Sequence, residues 1–313
     1  MSKANVNGIT IHYQTSGQGP DVVLIHGATG NMAFWYMSSL SALIKEFRVT
    51  VYDLRGHGYS QVPPSGYTSA DMSADLSALL DHLHIKQVHL VGHSFGGVIA
   101  LHTAVLNPTR VTSLVLADPE IPALRHLCNV REWQHWEAWN ERLREFGITV
   151  PDDKWDDLDY VLRQSLYIPM AYGLRKGQKR KSKRLLKLLD HTTAVKDFRE
   201  LSGLTMEKIR EVPCPTLAIY GELSPFLPVC QYLKENMPRC KSVIVPTGHF
   251  HPGLKPEIFV HYVRQFLLNP TEWADEGHME STSVTQTRKQ SVLDNLKHKP
   301  DTHAGGSKET ELT

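Results

Sequence analysis

A serine between two glycines, in the segment Gly92-His93-Ser94-Phe95-Gly96, is the part of the sequence best suited to nucleophilic chemistry. An apolar run typical of a buried strand precedes it at residues 88–91, and an apolar helical pattern follows over residues 95–106. A sharp strand-to-helix turn needs small neighbours and holds the serine hydroxyl clear of the backbone. The sequence therefore predicts Ser94 as a nucleophile at the carboxyl end of a parallel sheet, where such sheets bind ligands.

A serine hydroxyl is a weak nucleophile near neutral pH and needs a base beside it. Among the 17 histidines, His249 is the best placed, because it lies in the loop after the last apolar strand pattern at residues 242–245. His251 is the alternative, and a His-Phe-His segment could also be a fragment of a metal site. The sequence offers no obvious third ligand. We therefore interpret His249 as the base that activates Ser94, and we expect neither a metal nor an organic cofactor.

Negative charge that develops on a substrate oxygen needs hydrogen-bond donors already in place. The turn His26-Gly27-Ala28 follows the buried strand pattern at residues 22–25 and could supply the backbone N–H of Ala28. The N–H of Phe95, next to the nucleophile, could supply the second donor. The alternative interpretation of the His26-Gly27 segment is a tight turn with no chemical role.

Short apolar segments at residues 22–25, 48–52, 88–91, 113–117, 216–220 and 242–245 alternate with helical patterns at residues 69–83, 95–106 and 258–268. This alternation predicts an α/β fold with a mainly parallel sheet covered by helices on both faces. Alternating apolar residues at positions 9–13 indicate an additional edge strand. Residues 122–204 have a helical pattern, so we expect a helical cap inserted into a core formed by residues 1–121 and 205–269.

The composition excludes several classes of partner. The chain has 313 residues, is 41% hydrophobic and has a formal net charge of +1, so no overall field favours nucleic acid or an anionic membrane. The basic run at residues 175–184 is interpreted as solvent-exposed, and the four cysteines as buried or free thiols.

No apolar leader or membrane-length segment is evident, which predicts a cytoplasmic location. Residues 270–313 are poor in apolar side chains, which predicts a disordered tail. The oligomeric state is not indicated.

Together, the His26-Gly27 turn, the loop at residues 53–58, the Ser94 turn and the Gly248-His249 loop resemble the α/β-hydrolase superfamily. The resemblance covers residues from about 6 to 120 and from 205 to 268. It implies a triad of serine, histidine and a carboxylate in this fold, and it says little about the substrate. Because Ser94 stands where epoxide hydrolases and haloalkane dehalogenases of this superfamily have aspartate, those two activities are disfavoured.

The sequence departs from the superfamily at the acid of the triad. Most members carry an aspartate after the penultimate core strand, where this chain has Ser224, with Glu222 nearby. The segment Glu120-Ile121-Pro122, after the strand at residues 113–117, resembles the Glu-Leu-Pro segment of fungal lactonases that open zearalenone, in which the glutamate is the acid. That resemblance implies Glu120 as the acid, with its carboxylate hydrogen-bonded to Nδ1 of His249. Asp118 is the next candidate, and Glu222 is the third.

The expected function is hydrolysis of a carboxylic ester or lactone, including a macrolactone, through an acyl-enzyme on Ser94. The expected partner is a small-molecule substrate, and the sequence identifies no substrate-binding residue. The alternative is a ligand receptor built on the same fold, with slow or single turnover.

Overall fold

A computed structural model of the chain describes residues 2–145, 147–164 and 183–275. The described residues belong to a compact unit, Met1–Asp275, and a second unit, Glu276–Thr313, lies outside the described residues. Most of the basic run at residues 175–184 is also outside them.

The centre of the fold is an eight-stranded sheet with the strand order β1-β2-β4-β3-β5-β6-β7-β8. The strands are β1 (Ser2–Val6), β2 (Ile9–Ser16), β3 (Asp21–Ile25), β4 (Arg48–Tyr52), β5 (Val88–His93), β6 (Val111–Ala117), β7 (Thr216–Gly221) and β8 (Cys240–Val245). The pairs β1–β2 and β2–β4 are antiparallel, and all other neighbours from β4 to β8 are parallel. The predicted mainly parallel sheet is therefore confirmed.

Helices connect the strands and cover the sheet. The described helices are α1 (Ala33–Tyr36), α2 (Leu40–Leu43), α3 (Ser69–His82), α4 (Phe95–Leu106), α5 (Trp136–Glu145), α6 (Leu158–Gln164), α7 (Lys183–His191), α8 (Ala194–Asp197), α9 (Met206–Arg210), α10 (Leu227–Asn236), α11 (His251–Leu254), α12 (Pro256–Leu268) and α13 (Pro270–Asp275), with short 3-10 helices at Pro122–Leu127 and Val130–Glu132. The described residues between β6 and β7 contain only helices and loops. They belong to the same compact unit as the sheet, so a separate cap domain stays a prediction.

Both faces of the sheet are buried, as the apolar strand patterns predict. In β3 the side chains alternate between two clusters: Val23 and Ile25 join the one that includes residues of α3 and α4, and Val22 and Leu24 join the one that includes residues of α12. Two-sided burial of a parallel strand requires such an unbroken apolar run.

The first strand was not predicted. In β1 only Ala4 and Val6 are buried, so its five residues carry too little apolar pattern to indicate a strand. β1 pairs with β2 from Ser2 opposite Tyr13 to Val6 opposite Ile9, and it forms the edge of the sheet. The strand predicted at residues 9–13 is therefore the second strand of the sheet and not its edge.

The disordered tail was predicted to begin at residue 270, and this boundary is wrong. Residues 270–275 form α13, which has contacts with α12 and β8. Trp273 packs against the cluster that includes Phe266, with 6.2 Å between their ring centroids. The tryptophan gives this otherwise polar segment one large apolar ring to pack against the core, and the sequence pattern around it did not indicate that contact. Residues 276–313 lie outside the described residues.

Truncation therefore has two expected results. Ending the chain after Leu268 removes α13 and should lower the free energy of unfolding by about 2 kcal/mol, because the half-buried Trp273 ring loses its contacts. Ending the chain after Asp275 retains these contacts and is the matched control. Chemical denaturation of both truncated proteins and the full chain measures the difference, and equal stability of the two truncated proteins would contradict the packing of α13.

Candidate active site

The residues predicted to act on substrate lie at the carboxyl ends of neighbouring parallel strands. Ala28 comes from the turn after β3, Ser94 directly follows β5, Asp118 directly follows β6, and His249 lies in the loop after β8. Because β5 is between β3 and β6, the loop with Ala28 and the loop with Asp118 flank Ser94 on opposite sides.

Ser94 has a backbone conformation that side chains seldom adopt, with φ 55° and ψ −126°. Small residues make this turn possible. A Cβ on Gly92 would lie 2.2 Å from the carbonyl oxygen of Gly96, and a Cβ on Gly96 would lie 2.3 Å from that of Ile25. Strain of this kind costs about 1–3 kcal/mol and persists where the surrounding structure enforces it. The turn therefore holds a partly exposed serine in a fixed direction.

His249 is hydrogen-bonded to Asp118, with 3.0 Å between His249 Nδ1 and Asp118 Oδ1. The aspartate is fully buried, and its other contacts are with donors: the Ser224 hydroxyl donates to Oδ1 at 2.6 Å, and the Gly221 N–H donates to Oδ2 at 2.8 Å. These two donors hold the Asp118 side chain in place beside the His249 ring. With the His249 proton on Nδ1, its Nε2 carries a lone pair that can accept a proton.

The prediction that Glu120 contacts His249 is wrong. Glu120 Oε1 lies 3.3 Å from Arg125 Nε, in a salt bridge whose two side chains are each about one-third exposed. The third candidate, Glu222, is exposed, and its backbone N–H donates to the carbonyl oxygen of Val245.

The backbone at the end of β6 explains the difference. Asp118 has φ 54°, a left-handed conformation that aspartate tolerates better than most residues. This bend turns the carboxylate of the first residue after the strand toward the His249 loop. Glu120 lies two residues later, just before the 3-10 helix at Pro122–Leu127, and it contacts Arg125 of that helix instead.

Ser224 has a role that sequence reasoning missed. It occupies the position after β7 where most members of the superfamily carry the acid, and its fully buried hydroxyl donates to Asp118. The two departures from the superfamily pattern therefore belong together. The carboxylate that contacts His249 comes from the end of β6, and the Ser224 hydroxyl occupies the position after β7 where most members have the carboxylate. The signal available in the sequence was an aspartate directly after a strand beside the Ser94 strand.

The two predicted oxyanion donors lie on either side of Ser94. Phe95 begins α4, so its N–H has no acceptor within that helix. The turn with Ala28 contacts the serine directly, since a Cβ on Gly27 would lie 3.0 Å from Ser94 Cβ. Ala28 is partly exposed, as a donor to a bound substrate must be. Their role toward substrate stays a prediction.

Other histidines surround the site, and burial keeps them neutral. Burial and the nearby His57 lower the pKa of His26 to about 3, and burial lowers the pKa of His251 to about 4. Burial, followed by repulsion from His249, holds the pKa of His93 well below its usual range. His93 Nε2 donates to the backbone carbonyl of His249 at 2.9 Å and so holds the His249 loop beside the Ser94 turn. Near neutral pH these three rings therefore add no positive charge beside the Ser94 turn.

His251 does not take the place of His249. Its ring is buried, and Nε2 donates to the carbonyl oxygen of Ile219 at 3.2 Å. Within residues 2–145, 147–164 and 183–275, no three His, Cys, Asp or Glu side chains are grouped in a way that could hold a metal ion. The same residues include no helix with the length and apolar character needed to cross a membrane. The predicted cytoplasmic location stays a prediction.

Comparisons with known proteins agree on the fold and differ in chemistry. Residues 20–256 match the family model described as alpha/beta hydrolase fold. A pimeloyl-(acyl-carrier protein) methyl ester esterase of Vibrio vulnificus (strain YJ016) is 29% identical over 269 residues, which are 82% of this chain and 97% of that protein. A Bacillus subtilis (strain 168) protein provisionally named 2-succinyl-6-hydroxy-2,4-cyclohexadiene-1-carboxylate synthase is 28% identical over 272 residues, 83% of this chain and 96% of that protein.

Solved structures give the same fold. The crystal structure of the enol-lactonase from Burkholderia xenovorans LB400 matches with a TM-score of 0.59 and 21% sequence identity, over 85% of this chain and all of that chain. At this level of identity the likeness concerns the fold alone.

Proposed function

Because the chain belongs to the α/β-hydrolase family, we propose that it hydrolyses a carboxylic ester or a lactone through an acyl-enzyme on Ser94. The observation that carries the proposal is the contact between His249 Nδ1 and the buried Asp118, which leaves Nε2 of the same ring able to act as a base. The strained Ser94 turn next to the His249 loop supplies a nucleophile for that base.

In the proposed mechanism, His249 Nε2 takes the Ser94 hydroxyl proton as Oγ attacks the substrate carbonyl carbon. The N–H groups of Ala28 and Phe95 donate to the oxyanion that forms. Asp118 holds the His249 ring in the required tautomer and stabilises the imidazolium. The imidazolium then gives its proton to the leaving alcohol, and the carbon–oxygen bond of the ester breaks.

Deacylation repeats these steps with water. His249 removes a proton from a water molecule, whose oxygen attacks the acyl carbon and releases Ser94 and a carboxylic acid. In a lactone the leaving alcohol and the acid remain in one product molecule. No step in this sequence requires a metal or an organic cofactor.

The substrate class is supported by the named activity of a relative, the methyl ester esterase of Vibrio vulnificus. A lactone is an internal ester and is cleaved by the same steps. The narrower resemblance to zearalenone lactonases depended chiefly on Glu120 as the acid, and Glu120 contacts Arg125 instead. We therefore do not favour a macrolactone over simpler esters as the substrate.

A substrate panel tests the proposal. The wild-type chain and Ser94→Ala are assayed against p-nitrophenyl esters of increasing acyl length, small and macrocyclic lactones, and thioesters. We expect many turnovers per protein molecule on at least one ester or lactone and none with Ser94→Ala. A single stoichiometric burst without further turnover would favour the receptor alternative, and absence of any reaction at Ser94 would contradict both.

A further inference from the structure

His57 is a buried histidine whose two ring nitrogens both face backbone carbonyl oxygens. Its Nε2 lies 2.6 Å from the oxygen of Ala28, and its Nδ1 lies 2.8 Å from that of Arg55. Only 4% of the residue is exposed. The first contact joins two loops, whereas the second lies within the loop that carries His57 itself.

A carbonyl oxygen can only accept a hydrogen bond, and a neutral imidazole has one N–H to donate. Burial lowers the pKa of His57, and Arg184 nearby lowers it further, while its two carbonyl contacts and the carboxylate of Asp53 act in the opposite direction. The adjacent His26 ring, 5.3 Å away between centroids, is itself neutral because its pKa is lowered to about 3. Near neutral pH, His57 therefore has a single proton for two acceptors.

The loop that carries His57 is fixed independently of this ring. The Asp53 carboxylate accepts hydrogen bonds from the N–H of Met32 at 2.9 Å and from the N–H of Tyr59 at 2.8 Å. These contacts connect the start of the loop to its far side and to the segment after the Ala28 turn. His57 is therefore held on a rigid support rather than on a mobile one.

Ala28 is connected to two peptide planes, and both matter. Its N–H is the proposed oxyanion donor, and its carbonyl, on the other side of the same Cα, is the group that His57 contacts. A contact at the carbonyl plane restricts the ψ angle of Ala28. The plane that contains the N–H is restricted at the Gly27 carbonyl, which accepts from the Gly30 N–H at 2.9 Å and lies 2.8 Å from His26 Nδ1. A donor to the Ala28 carbonyl therefore completes the restraint: with a contact on each of the two planes, the Ala28 residue cannot rotate as a unit, and its N–H keeps one direction.

We propose that His57 is a positioning residue: its Nε2–H donates to the Ala28 carbonyl and holds the Ala28 N–H in the direction that the oxyanion requires. Nε2 is the ring nitrogen that contacts the other loop, so a proton on this nitrogen is the one that can join the two loops. The inference rests on the proposed function, since it assigns a helper to the proposed oxyanion site. His57 itself touches neither the substrate nor Ser94 in this mechanism.

The expected effect falls on turnover rather than on substrate binding. Removal of an oxyanion donor lowers kcat by about 10²- to 10³-fold in enzymes of this type, and a misdirected donor should lose part of that. The oxyanion exists only after attack on the carbonyl, so KM should change by less than about 3-fold.

Substitution of His57 with glutamine or asparagine distinguishes the contact at Nε2 from the contact at Nδ1. In His57→Gln the amide nitrogen reaches the position of Nε2 and can still donate to Ala28. In His57→Asn it reaches only the position of Nδ1, beside Arg55. We expect His57→Asn to lower kcat about 10- to 100-fold with little change in KM, and His57→Gln to recover most of that loss. Rates are measured below the thermal midpoint of every variant and are expressed per Ser94 titrated by a fluorophosphonate.

The controls separate this inference from the proposed function. Absence of fluorophosphonate labelling at Ser94 in the wild-type chain would overturn the proposed function before any variant is examined. If the wild-type chain is labelled and turns over, equal kcat values for His57→Asn and His57→Gln would overturn the positioning role. If His57→Asn does not fold, His57→Leu, which lacks a donor at both positions, replaces it in the comparison with His57→Gln.

Discussion

Replacement of Ser94 with alanine should lower ester or lactone hydrolysis by about 10⁴-fold or more and leave the fold intact. The hydroxyl makes no capping hydrogen bond to α4, so its removal costs the helix nothing. Alanine inherits the same positive φ, and the surrounding turn that enforces it is unchanged. Steady-state rates on the best substrate of the panel, together with thermal midpoints, measure both parts of the expectation.

Labelling with a fluorophosphonate identifies the nucleophile independently of the natural substrate. Wild-type protein should be labelled at Ser94 and at no other serine, and Ser94→Ala should not be labelled. Ser38→Ala is a matched control, because Ser38 is also partly exposed. Its hydroxyl donates to the carbonyl of Phe34 and accepts from the Ser39 hydroxyl. Retained hydrolysis in Ser94→Ala, or a label on a different residue, would overturn the central assignment.

Asp118→Asn should lower kcat by about 10³- to 10⁴-fold, because an amide cannot stabilise the His249 imidazolium and can favour the wrong tautomer. Asparagine tolerates the positive φ of this position, so the loss should not come from backbone strain. The pH dependence of kcat and the thermal midpoint of the variant measure the effect on the base and on the fold separately.

The position of Ser224 allows a second test by relocation of the carboxylate. In the double variant Asp118→Asn/Ser224→Asp, a carboxylate returns at the place where Ser224 Oγ now lies, 2.6 Å from the oxygen that His249 contacts. We expect at least about 10-fold recovery of kcat over Asp118→Asn alone. A double variant no faster than Asp118→Asn would show that the carboxylate after β7 cannot reach His249.

Glu120→Gln and Glu222→Gln are the matched charge controls for Asp118→Asn. Glu120 is committed to Arg125, and Glu222 is exposed, so each change should alter kcat by less than about 3-fold. A loss in Glu120→Gln as large as that in Asp118→Asn would restore the lactonase-like assignment and contradict the geometry at the end of β6.

The sequence by itself predicted the parallel sheet, the Ser94 turn and the position of His249 in the loop after the last strand, where the structure places it against Asp118. These depend on local rules: a strand buried on both faces needs a continuous apolar run, and a sharp turn after β5 needs glycine at positions 92 and 96. Such rules act over a few consecutive residues, so the sequence alone indicates the structures that follow from them. The edge strand β1 was missed for the same reason, because only two of its residues are buried and its pattern is correspondingly weak.

The tertiary structure alone decided which carboxylate holds His249. Asp118, Glu120 and Glu222 are all acidic residues close to strand ends, and sequence spacing does not say where each carboxylate points. The choice depends on the bend at Asp118, on the Ser224 hydroxyl from β7 and on Arg125, which takes Glu120. The packing of Trp273 and the two contacts of His57 are decided in the same way. Each of these arrangements depends on groups that are far apart in the sequence, and they come together only when the strands assemble into the sheet.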